Sequence, residues 1–162
     1  MSFSEEETFN AFISGYKPAY LAHHEHELCV DFYIQLKGSD FPRIQIRDDM
    51  TLFFQTEQLK RRFIADAEGL EPGTADHHRA LGLALGYPPI AVEHFAVSWV
   101  NRSLWEKSAT YYYCGINFAG HIDDAESIAQ WLWFNVPIPP TEVKVNHHGR
   151  KFSMFPPSKI VV

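Results

Sequence analysis

Leu28-Cys29-Val30-Asp31-Phe32-Tyr33-Ile34-Gln35-Leu36 alternates along its whole length. Leu28, Val30, Phe32, Ile34 and Leu36 fall on one side; Cys29, Asp31, Tyr33 and Gln35 fall on the other. A period of two predicts a β-strand with one buried face. Downstream, Gly38-Ser39-Asp40 marks a turn, and Arg43 to Arg47 alternates again with Ile44 and Ile46 inward. Asp48-Asp49 is a second turn, and Met50 to Gln55 reads as a third strand. The connections are too short for parallel crossovers, so the three strands are expected to form an antiparallel meander.

Helical signals surround this block. Ser4 with Glu7 forms a capping-box pattern before Phe9, Phe12 and Ile13, and Gly15 stops that helix. Thr56 caps a helix running to about Glu68, with Leu59, Phe63 and Ala67 as its apolar stripe and Gly69 after its end. Thr74 to Leu85 is a second helical stretch. Pro88-Pro89 opens a third, bearing Val92, Phe95, Ala96 and Trp99. The short Gly86-Tyr87-Pro88 link makes these two an αα-hairpin, with Gly82 allowing close backbone approach. Thr110 to Phe118 is strand-like, and Asp123 with Glu126 caps a helix through Ile128, Ala129 and Leu132. Val143 and Val145, then Phe152 and Met154, form a final hairpin turning at His148-Gly149. The expected fold is α+β: one domain over residues 1–162, an antiparallel sheet with packed helices and a central αα-hairpin.

The chain has 162 residues with 46% apolar and 15% aromatic side chains, enough for a core and unlike a disordered sequence. A net charge of −6 disfavours a nucleic-acid or anionic-membrane partner. Lys60-Arg61-Arg62 reads as a solvated helix face. Met1 to Asn10 is acidic and polar rather than basic and apolar, and no run reaches the ~18 apolar residues of a membrane span. Cys29 and Cys114 lie in strand-like runs and are expected as free, buried thiols. Together these features point to the cytoplasm.

Three groups of residues could carry function. Nine histidines include the doublets His23-His24, His77-His78 and His147-His148. On a strand, His24 and His26 would project from one face and could share a divalent metal. His77 would supply a third ligand, with Asp76 or His94 as alternatives. A bound cation would then activate water for hydrolysis. The competing assignment makes these histidines polar loop and cap residues, and His94 a half-buried packing residue. Second, Tyr111, Tyr113 and Asn117 form an alternating aromatic face, suited to a protein partner. The alternative places the tyrosines beneath a helix. No ribonucleoprotein signature surrounds them, which argues against nucleic acid. Third, Trp99, Trp105, Trp131 and Trp133 exceed what one small core encloses, and an exposed subset would mark an interface with a protein partner or a second copy.

The segment Leu85-Gly86-Tyr87-Pro88, followed by Val92 and Phe95, resembles a Leu-Gly-Tyr-Pro…Val…Phe segment in an uncharacterised family of small bacterial proteins. The resemblance implies a bacterial or phage-borne protein and brings no activity with it. No nucleophile elbow, phosphate loop or dinucleotide fingerprint occurs. The expected function is a non-enzymatic protein-interaction or regulatory module. The alternative is a metal-dependent hydrolase built on His24 and His26.

Overall fold

The computed structural model describes residues 5–158. Its architecture is α+β, with two antiparallel sheets and three packed cores. The first helix, α1, spans Glu5–Ile13 and ends before Gly15, which adopts φ +81°. The capping partner assigned to Glu7, Ser4, lies outside the described residues.

The stretch Leu28 to Leu36 is helical, which corrects the strand expected there. Helix α2 covers Val30–Lys37. The same residues also satisfy a helical period: Cys29, Phe32, Tyr33 and Leu36 recur at i, i+3, i+4 and i+7. That stripe is the one that turns inward, with Cys29 and Leu36 buried, whereas Leu28 and Ile34 are 65% and 61% exposed. The place of the strand expected at Leu28 to Leu36 is taken by β1, Ala19–His23. It pairs with β3 (Met50–Phe54), which forms a hairpin with β2 (Arg43–Arg47), giving the order β1-β3-β2.

This sheet is covered on both faces rather than one. Phe9, Phe12, Tyr20, Leu36 and Phe53 fill the side beneath α1 and α2. Ala19, Leu52, Phe54, Phe63, Ala80 and Leu85 fill the other, beneath α3 (Glu57–Asp66) and α4 (Ala75–Ala84). Thr56 and Thr74 cap these helices by accepting from the Leu59 and His77 amides. Lys60, Arg61 and Arg62 pair with Glu57 and Asp66 within α3. The αα-hairpin is completed by α5, Pro89–Val100. A methyl at Gly82 would stand 3.0 Å from Val92 Cγ2, so the glycine sets how closely the two helices approach.

The second sheet has the order β5-β4-β6-β7. Thr110 to Phe118 is a hairpin rather than one strand: β4 (Ser108–Tyr113) and β5 (Ile116–His121) meet at Cys114-Gly115, where both residues have positive φ. Cys114 is therefore an exposed turn residue, and Cys29 is a buried helix-start residue; both thiols are free. Helix α6, Ala125–Asn135, covers one face with Ile128, Ala129 and Leu132. Its expected Asp123 cap does not form. A short 3₁₀ turn, Ile122–Asp124, intervenes, and His121 Nδ1 accepts from the Asp123 amide. The final hairpin, β6 (Val143–His147) and β7 (Arg150–Met154), turns at His148-Gly149 as expected. Among the described residues, no helix is long and apolar enough to cross a membrane.

Tyr87, at the tip of the αα-hairpin, packs against both the second-sheet core and the α3–α4 core. Lys17 lies over its ring, 5.4 Å from the centroid, and is 2% exposed. Burial lowers the Lys17 pKa from 10.5 to about 8, against the pull of the Glu5 carboxylate. The unfolded lysine keeps its proton to about pH 10.5 while the folded one releases it near 8, so stability rises with pH through this window. Burial raises the Cys29 thiol from 9.0 to about 11, an opposite effect that enters above pH 9. Stability of the protein is therefore expected to increase by about 1 kcal/mol between pH 8 and 9. Lys17→Met should abolish that rise and stabilise the fold at pH 7; urea unfolding at both pH values checks it.

Candidate functional site

The outer face of the second sheet forms the floor of a concavity. Burial alternates along β4 and β5, so Tyr111, Tyr113, Ile116 and Phe118 point to the α6 side, while Tyr112 and Asn117 point away. Cross-strand pairing sets Asn117, Tyr112, Lys144 and Ser153 in one row across four strands. Thr110, Asn146 and Lys151 form the next row. Residues of and after α1 (Glu7, Asn10, Ser14 and Tyr16) wall this floor and enclose a groove of about 750 Å³. That volume falls within the ~300–1,000 Å³ of typical ligand sites.

Gly115 fixes the wall to the floor. With φ +87°, it brings the β4–β5 turn against the backbone of α1. A methyl there would run into the Glu7 carbonyl and lie 2.9 Å from Ala11 Cβ.

The groove is lined with hydrogen-bonding groups. Glu142 accepts from the Ser153 hydroxyl. The Asn117 side-chain nitrogen is buried and has no hydrogen-bond partner among the described residues. Lys144 and Lys151 make no ion pair among them either. Cys114 sits at the rim, where burial raises its thiol pKa. A raised thiol is a poor nucleophile.

The residues expected from the sequence lie elsewhere or face differently. Tyr111 and Tyr113 are 0% and 1% exposed. Tyr111 stacks on Phe118 at 5.5 Å and donates its hydroxyl to the His121 carbonyl. They lie beneath α6, and Asn117 lies on the opposite face, so the three do not form a common surface. The outward tyrosine is Tyr112, one position away in phase.

His24, His26 and His77 do not converge. The strand ends at His23. His24 stacks on Tyr33 at 4.0 Å, with Nε2 2.7 Å from Thr51 Oγ1. His26 Nδ1 accepts from the Leu28 amide in the following loop. His77 meets Phe63 edge-on, and Phe63 covers the other side of the first sheet. Among the described residues, no three His, Cys, Asp or Glu side chains form a group able to hold a metal.

A histidine pair that the sequence did not bring together is His94 and His121, with rings 5.1 Å apart and edge-on. His94 Nε2 lies 2.7 Å from the Ser108 hydroxyl. Burial first, then His121, lowers the His94 pKa against the pull of Asp124. This contact ties α5 to the start of β4. Trp99 and Trp105 are the outward tryptophans, 41% and 46% exposed, whereas Trp131 and Trp133 pack against the second-sheet core.

None of the known protein families, curated proteins or solved structures compared with this chain matches it. The groove geometry therefore carries the functional argument. Gly115→Ala should destabilise the protein by about 2–4 kcal/mol through combined left-handed strain and steric conflict. Amide exchange should accelerate in α1 more than in α6, as measured by hydrogen–deuterium exchange.

Proposed function

We propose that the protein is a non-enzymatic interaction module whose groove binds an extended, acidic segment of a partner protein. The observation that carries this reading is the row Asn117–Tyr112–Lys144. Among the described residues, a buried amide nitrogen without an acceptor and an ammonium without an ion-pair partner flank an aromatic ring on one open sheet face. A buried donor without a partner costs free energy that a bound acceptor would recover. A carboxylate fits both the amide and the ammonium, and the ring supplies apolar contact alongside. An extended chain lying across the strands would meet these groups in succession. The resemblance of the Leu85–Phe95 segment favours a bacterial setting, and two free cysteines fit a reducing cytoplasm. The hydrolase alternative depended on His24 and His26 projecting from one strand face; β1 ends at His23, and among the described residues no three His, Cys, Asp or Glu side chains form a group able to hold a metal.

A fluorescein-labelled oligoglutamate peptide serves as the probe. Binding should be measurable by anisotropy at low salt and weaken as salt rises. Lys144→Glu should weaken it roughly tenfold. Asn117→Asp, nearly isosteric but acceptor-only, should weaken it comparably. Absence of binding at low salt, or equal binding by both variants, would refute this reading. Full competition by free glutamate would redirect it to a small-molecule site.

A further inference from the structure

The second sheet leaves one edge open. Residues Arg150 to Ser153 of β7 are all exposed. The His148-Gly149 turn has positive φ at both positions, the two-residue hairpin geometry in which the flanking pair exchanges hydrogen bonds. His147 and Arg150 are that flanking pair, and Val145–Phe152 and Val143–Met154 follow in the same phase. The amides and carbonyls of Lys151 and Ser153 therefore point away from β6. No turn, loop or cap backbone hydrogen bond among the described residues uses them.

We propose that β7 pairs with β7 of a second copy of this chain, antiparallel about a two-fold axis at Phe152, joining two four-stranded sheets into one of eight. This register uses both outward residues: Lys151 exchanges hydrogen bonds with Ser153 of the partner subunit, and the reverse. Phe152 faces the partner's Phe152 in the non-hydrogen-bonded position, where cross-strand side chains come closest. Phe152 is 43% exposed in the single chain, with Phe155 at 68% beside it, and a second strand would cover them.

The charge pattern selects the partner and its direction. Cations on an edge strand normally repel a neighbour. Here both cations, Arg150 and Lys151, lie in one half of β7. Parallel pairing in register would oppose them, whereas the antiparallel two-fold sets Arg150 against the partner's Met154 and Lys151 against the partner's Ser153. The Ser153 hydroxyl already holds the Glu142 carboxylate, so each incoming lysine meets an acidic neighbour. The groove floor would then continue from one subunit into the next. This inference does not depend on what the groove binds.

Sedimentation at tens of micromolar and disulfide trapping test it, with Cys114→Asn present to remove the exposed native thiol. Phe152→Cys should form a disulfide-linked dimer under mild oxidation, because non-hydrogen-bonded pairs have Cα atoms about 4.5 Å apart. Ser153→Cys should not, since the two copies would sit on a diagonal roughly 7–8 Å apart. Ser153→Pro removes an outward amide together with the hydroxyl that donates to Glu142, and should sediment as a folded monomer with an unchanged circular dichroism spectrum. A monomeric wild-type protein, or Ser153→Cys cross-linking as readily as Phe152→Cys, would overturn the proposal. Failure here leaves oligoglutamate binding intact, and loss of oligoglutamate binding leaves the dimer intact.

Discussion

Tyr87 joins what would otherwise be separate cores. Its ring lies 5.4 Å from Phe118 in the second-sheet core, packs against the α3–α4 core, and carries Lys17 on its face. The preceding Gly86, at φ +84°, lets the hairpin tip close on Pro18; a methyl there would meet the Pro18 ring at 2.6 Å. A two-residue tip thus sets the relation between the sheets, and the groove inherits its shape from that relation. The position of an ammonium follows from the same packing. Desolvation opposes its charge, while the ring face and Glu5 favour it, and the lowered pKa is the resultant.

The sequence made some elements plain because one physical rule dominated there. Thr56 and Thr74 cap helices by a local hydrogen bond that tertiary structure does not disturb. The His148-Gly149 turn needs left-handed backbone at both positions, and little else fits it. Leu28 to Leu36 misled because its residues satisfy two periods at once. Tertiary context chose the one that buries Cys29 and Leu36 with Phe32 and Tyr33 packed alongside. Ala19–His23 was hidden for the opposite reason. A strand covered on both faces shows no alternation, and its two alanines carry little strand preference.

The site was legible only in part. The aromatic run from Tyr111 to Tyr113 lies on β4, the strand that carries Tyr112 into the groove floor. The direction in which each tyrosine points depended on where the turn falls, and Cys114-Gly115 was read as strand interior. Once the turn is placed there, Tyr112 and Asn117 become opposite members of one pair. Lys144 and Ser153 complete the row only through pairing between distant segments, which no local pattern reveals. The histidine doublets lie on separate elements, at the end of β1, on α4 and at the β6–β7 turn, and within the last of these the His147 and His148 rings stand 4.5 Å apart. His94 and His121, 27 positions apart, bring their rings to 5.1 Å of one another.

The seat of α1 against Gly115 carries a consequence for biosynthesis. The helix is synthesised well before the turn that covers its flank, which is made about a hundred residues later. Through most of translation that flank must wait in water. Its residues suit the delay: Glu7, Asn10, Ala11 and Ser14 offer nascent-chain binders little grease. The greasier flank, Phe9 and Phe12, finds Tyr20 and then Phe53 much earlier. The composition of this one helix is thus matched to the schedule on which its neighbours are synthesised.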